Sequence, residues 1–135
     1  MSGQNLDRLC AKYGWKISDQ LRPALGKGAE NLITNSLGVL QEDGVYAFFL
    51  YLASRGSEKA GAEKLREQTH NLLKEAGILP FDTTKDSLEA VRGNKEKQVR
   101  GMADDLDSLL LAKRLLEQTL IYARYHAKAI LVSES

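Results

Sequence analysis

The sequence predicts an all-α fold: one domain over residues 1–135, a bundle of about five to six helices closed by a long C-terminal helix. Three observations predict it. From Met102 to Val132 there is neither Pro nor Gly. Over that stretch apolar or small residues recur at Met102, Leu106, Leu109, Leu116, Leu120, Ala123, Ala127 and Ile130, in steps of four and three that mark one face of a helix, with Lys113 the one break. At 1.5 Å per residue such a helix is roughly 45 Å long, so the rest of the chain must pack along it. Second, the segments before it repeat the same period between Gly and Pro breaks. Third, the one run with strand-like composition, Val45 to Leu52, has no second strand to pair with.

Helix one is expected from Leu6 to about Leu21. Leu6, Leu9, Cys10, Tyr13, Ile17 and Leu21 share a face, Asn5 suits the N-cap, and Pro23 stops the run. Gly14 in its middle costs roughly 1 kcal/mol of helix propensity. After Gly26-Lys27-Gly28, helix two runs from about Ala29 to Gln41, with Leu32, Ile33, Leu37 and Leu40 facing inward. Asp43-Gly44 makes a sharp bend. Helix three, Val45 to Ser54, is apolar nearly all round and is expected at the centre of the bundle. Ser57 caps helix four, whose buried side is Ala62, Leu65, Thr69, Leu72, Leu73 and Ala76, with Gly77 at its C-terminal end. Ile78 to Phe81 is an apolar connector folded back onto the bundle. Helix five is short, Thr84 to Val91, capped by Thr83 or Thr84. Residues 92–101 are expected to be a flexible basic loop, with Arg92, Lys95, Lys97 and Arg100 against Glu96. Asp104, Asp105 and Asp107 then open the final helix, where negative charge suits the helix dipole.

Composition narrows the function. At 43% hydrophobic the chain can bury a core, and 19 basic against 18 acidic residues leave a net charge of +1, so bulk charge makes no case for nucleic acid. No apolar run reaches membrane-spanning length, and Met1-Ser2-Gly3-Gln4 lacks the character of a secretory leader. The single cysteine, Cys10, falls on the buried face of helix one and reads as a structural thiol. A cytoplasmic protein without a membrane partner is expected.

Catalytic and metal-binding residues are not expected, nor is a cofactor. His70 and His126 lie far apart, with no ligand set at zinc spacing around either. His70 reads as a half-exposed helix residue, and His126 as a packing or hydrogen-bonding one. Gly26-Lys27-Gly28 lacks the spacing and the hydroxyl residue of a phosphate loop. Arg66-Glu67-Gln68-Thr69-His70 is spaced too tightly for the Arg–His pair of the HEPN ribonucleases.

Local charge is more informative. The chain up to Gly28 carries Arg8, Lys12, Lys16, Arg22 and Lys27 against Asp7 and Asp19. The final helix carries Lys113, Arg114, Arg124 and Lys128, with Tyr122 and Tyr125 interleaved at its end. Cations beside aromatic rings can follow a phosphate backbone and stack on bases, although such residues also mark an ordinary solvated helix face.

Two segments carry a family likeness. The first reads Leu32-Ile33-Thr34-Asn35 onward to Asp43-Gly44-Val45-Tyr46-Ala47-Phe48-Phe49-Leu50, and the second Leu120-Ile121-Tyr122-Ala123-Arg124-Tyr125-His126-Ala127. Together they resemble the small α-helical subunit of the type III-B (Cmr) CRISPR effector complex. That family has a helix, an Asn-Gly-Leu bend, an apolar helix with an Ala-Phe core, and a long last helix with an aromatic-Leu-Lys-Arg-aromatic signature. Here Asp43 stands for the Asn, Val45 for the Leu, Ile121 for an aromatic residue and Ala123 for the Lys, while Arg124 and Tyr125 keep their places. The related type III-A small subunit is the next resemblance, and a helical adaptor binding only protein is the reading from another class.

The resemblance implies a non-catalytic subunit that stacks beside the backbone subunits and copies of itself, and helps form the channel for guide RNA and target RNA. Arg124 is the leading RNA-contact residue, with Lys128 one turn on. Lys113, Arg114, Lys95, Lys97, Arg100, Lys16 and Lys27 follow.

Overall fold

A computed structural model describes residues 5–55 and 59–134, with side chains through 129. Six α-helices make up the described part: α1 Leu6–Leu25, α2 Gly28–Asp43, α3 Val45–Ala53, α4 Lys59–Glu75, α5 Ser87–Arg92 and α6 Leu106–Glu134. The all-α expectation holds, and the Val45 run is a helix. Among the described residues no helix is long and apolar enough to cross a membrane.

The principal contact is between α1 and α6, which run side by side, while α2 lies against α6 and α4 against α1. Their closeness depends on Gly14. A Cβ there would lie 2.7 Å from Tyr122 Cβ and 3.1 Å from both Ala123 N and Thr119 O, so only glycine allows this approach. The same interface buries Cys10, whose Sγ donates to the Leu115 carbonyl at 3.5 Å. Burial pushes the Cys10 thiol pKa up, which keeps it protonated and inert, as its position on helix one suggested.

Several boundaries differ from the sequence reading. Pro23 lies inside α1 and does not stop it; the helix ends two residues later, against Gly26. At the other end the Asn5 carboxamide accepts the Arg8 N–H at 3.0 Å, the expected cap. Gly44 has φ of 96° and joins α2 directly to α3 in one sharp bend. α3 is not surrounded, because Tyr46 (39% exposed) and Leu50 (49%) face outward while Phe48 and Phe49 enter the core. Ser57 lies outside the described residues. Gly77 and Ile78 close α4 by donating to the carbonyls of Lys74 and Leu73, both at 3.0 Å. Ala76 is half-buried, beyond the last helical residue. The connector folds back as expected through buried Ile78 and Phe81, although Leu79 points outward.

α5 begins at Ser87 and not at Thr84, with Asp86 as its cap. Thr84 Oγ1 instead accepts the Asp86 N–H at 3.2 Å, a local turn that competes with helix. Residues 92–101 are more regular than the expected loop. Asn94 and Val99 exchange backbone hydrogen bonds of 2.8 and 2.9 Å, closing a hairpin turn. Met102–Asp104 is a short 3-10 turn, separated from α6 by extended Asp105. The Asp105 carboxylate accepts from the Asp107 N–H and the Ser108 hydroxyl, so the acidic cluster caps the final helix without belonging wholly to it. Leu106 is 65% exposed, outside the buried stripe, which instead runs through Ala112, Leu115, Leu116, Thr119, Leu120, Ala123 and Ala127.

Candidate nucleic-acid interface

The nine basic residues named from sequence do not form one patch. On α6, Lys113, Arg124 and Lys128 fall within about 60° of one another around the axis, at about 100° per residue. Lys113 and Arg124 are half-buried, Lys128 is exposed, and Arg114 is exposed on a different side of the helix. Arg114 borders a cleft with Leu6, Asp7 and Gln118, on the α1 side. Lys128 pairs with Glu30 at 3.7 Å, which places it near the start of α2 and close to Lys27 in the preceding turn. That acid offsets part of the local positive charge. The Arg124 Nε is buried and has no hydrogen-bond partner.

Lys16 belongs elsewhere. It sits 5.1 Å from the centre of the Tyr13 ring, beside Lys12, which pairs with Glu75 of α4 at 3.2 Å. The Tyr13 hydroxyl donates to Glu75 at 2.8 Å, and this bond holds the Glu75 carboxyl pKa down. Lys95, Lys97 and Arg100 are exposed on the hairpin, where Arg100 also donates to the Asp104 carbonyl at 2.9 Å. The side chains are therefore dispersed among the α1–α2 end, the α1–α4 face and the hairpin, with Arg114 apart from all three.

The structure gathers a different set. A cleft of about 410 Å³ lies between α4 and the connector to α5, with Arg66, Asn71, Lys74, Thr83 and Lys85 on its walls and His70 and Phe81 at its base. A second cleft of about 210 Å³ shares Arg66 and Lys85 and leads toward Phe49 and Ala53 of α3. His70 is 6% exposed, not half-exposed as its sequence position suggested. It packs edge-on against Phe81, with ring centres 4.8 Å apart.

The hydrogen bonds around His70 assign its proton. A carbonyl only accepts, so Nε2 carries the hydrogen donated to Phe81 O at 3.2 Å. In the neutral ring Nδ1 is then an acceptor for the Ser87 hydroxyl at 2.8 Å, and Ser87 in turn accepts from Arg66 Nη1 at 3.2 Å. A relay from Arg66 through Ser87 and His70 to Phe81 locks α4 to the connector and α5. Burial is the main cause holding the His70 pKa below the ordinary histidine value; the positive charges of Arg66 and Lys74 add to it, and backbone groups of Thr84 and Phe81 partly oppose it. Both ring nitrogens and the Ser87 hydroxyl are thus engaged in structural bonds. His126 on α6 is half-buried, away from this network. Among the described residues no group of three or more His, Cys, Asp or Glu is arranged to hold a metal ion.

Sequence reasoning missed this cleft because it forms only where the connector after α4 turns back on that helix. The one local signal was the spacing of His70 three residues before buried Leu73, which places it beside the inner face of α4. Comparison with protein-family models, curated proteins and solved structures gives no match.

Proposed function

We propose that this chain is a non-catalytic helical subunit of a type III-B CRISPR effector complex. It stacks beside the backbone subunits and helps form the path of guide and target RNA. The observation carrying this reading is that the two segments bearing the likeness, far apart in sequence, pack as one unit. α2 lies along α6, and α3, reached through the Gly44 bend, touches both.

Two further features support it. His70 and Ser87 are committed to holding α4, α5 and their connector together, and Cys10 is buried with its thiol engaged. Exposed apolar side chains also occur in groups: Leu106, Leu110 and Leu111 at the start of α6, and Tyr46 and Leu50 on α3. Such groups suit a chain that meets neighbouring subunits.

Affinity purification of the tagged chain from its own cells tests the proposal. The expected eluate contains the backbone subunits and an RNA of guide length. Recovery with type III-A backbone subunits, or with protein partners and no RNA, overturns it.

A further inference from the structure

One face of α6 has no partner within the chain. Leu106, Leu110, Arg114, Glu117, Ile121 and Tyr125 follow one another in steps of four, four, three, four and four. At about 100° per residue they fall within about 100° of one another around the axis. The residues that meet α1, among them Leu115 and Ala123, lie on the far side of the helix. Leu106 is 65% exposed, Leu110 57% and Tyr125 67%, and Ile121 is half-buried. Arg114 and Glu117 are three residues apart, yet among the described residues neither has an ion-pair partner.

The chemistry of this face is complementary to itself when reversed. About the midpoint between Leu115 and Leu116, Leu106 is the counterpart of Tyr125, Leu110 of Ile121, and Arg114 of Glu117. We propose that two copies of this chain pair antiparallel through this face of α6, about a two-fold axis at that midpoint. The contact would be about 28 Å long. Two Arg114–Glu117 ion pairs between the copies form its centre, Leu110 meets Ile121 on either side, and Leu106 meets Tyr125 at each end. The remaining charges fit as well: Asp107 falls level with Arg124 of the second copy, and Lys113 with neutral Gln118. Lys128 lies beyond the stripe and is taken by Glu30. Like charges therefore meet at no level of the contact. A parallel pair in register would instead set Arg114 on Arg114 and Glu117 on Glu117, so the charges select the antiparallel arrangement.

A two-fold contact of this kind closes at two copies, unlike a repeating stack, which needs two different surfaces. The inference does not rest on the proposed function. Sedimentation velocity of the full chain between about 1 and 500 µM tests it. One helix pair makes a small interface, so the dimer is expected with a dissociation constant on the order of 10 µM. Arg114→Glu and Glu117→Arg should each weaken self-association at least about tenfold, because the symmetry repeats every like-charge contact twice. Mixed in equal amounts, the two variants should dimerise again with about the affinity of the parent, since a copy with two acids then faces a copy with two cations. Recovery on mixing can come only from a contact between copies. Arg114 is exposed and Glu117 half-exposed, and circular dichroism verifies that both variants keep the parental helix content.

A parent chain that stays monomeric at about 500 µM overturns the inference. So do charge reversals that leave the dimer intact, a mixture of the two variants that stays monomeric, or a dimer unchanged by Leu110→Gln. The proposed function fails by a different result, absence of the chain from the effector complex.

Discussion

Replacing Gly14 by alanine tests the packing on which the whole bundle rests. By propensity alone the change stabilises α1 by roughly 1 kcal/mol. The structure reverses the sign. The added Cβ would lie 2.7 Å from Tyr122 Cβ, about 1 Å inside ordinary carbon–carbon contact, and also meets the backbone at Ala123 and Thr119. None of these atoms is the free end of a flexible side chain, so α1 and α6 must separate. The separation loosens Cys10, Tyr13 and Ile17 on one side and Leu115, Leu116 and Ala123 on the other, all buried. Overpacking of this kind costs about 1–3 kcal/mol, leaving a net loss of up to about 2 kcal/mol after the propensity gain. Urea denaturation followed by circular dichroism measures it, with an accompanying drop in Tm of up to about 7 °C. Gly38 is the control. It lies inside α2 with open space where a Cβ would stand, and no heavy atom within 4 Å of that point, so Gly38→Ala should stabilise by up to about 1 kcal/mol. A Gly14→Ala protein stabilised as much as the Gly38→Ala control refutes the close approach of α1 and α6.

The His70 relay makes stability depend on pH. Its folded pKa lies below the unfolded value of about 6.5, so the unfolded chain takes up the proton first and stability falls as pH drops below that point, levelling once the folded pKa is passed. Urea midpoints across pH 5–8 should show this fall in the parent and a shallower one in His70→Gln; identical profiles contradict the assignment. Ser87→Ala leaves His70 Nδ1 and Arg66 Nη1 without their shared partner and should cost about 1–3 kcal/mol, read from the same titration at pH 7.5. Asn5→Ala removes the α1 cap and should cost about 1 kcal/mol, whereas no change would mean that water replaces the carboxamide without loss.

What the sequence made legible was whatever depends on local periodicity. Leu32, Ile33, Leu37 and Leu40 face the core as their spacing requires, and Gly77 ends α4 where a C-terminal glycine should. Local competition between side chain and backbone was harder to read. Thr84, Asp86 and Asp105 each offer a hydrogen bond that can begin, delay or interrupt a helix, and composition does not say which offer wins. Leu106 continues the apolar period yet faces solvent, because the chain is extended at Asp105 and α6 starts only after it. α1 passes through Pro23 and ends at Gly26, whose φ is 56°, so the glycine and not the proline marks the boundary.

The candidate site was legible only as a set of charges. Lys113 and Arg124 share a face by helical arithmetic, but the ion pair of Lys128 with Glu30 joins α6 to α2 and is invisible in one dimension. The position of Lys16 over Tyr13 follows from their i, i+3 spacing on α1, whereas the pairing of Lys12 with Glu75 depends on how α1 meets α4. Arg66, His70, Phe81 and Ser87 meet only because the connector after Gly77 turns back on α4, so their association is a tertiary fact.

The central claim is membership of an RNA-guided assembly, and sedimentation velocity of the fluorescently labelled chain tests it most directly. Alone, the chain should sediment as a small species of its own mass, 15.0 kDa, or a small multiple of it. Addition of type III-B backbone subunits loaded with guide RNA should move the label to the fast boundary of the ribonucleoprotein. A label that stays in the slow boundary at saturating backbone concentration contradicts the account.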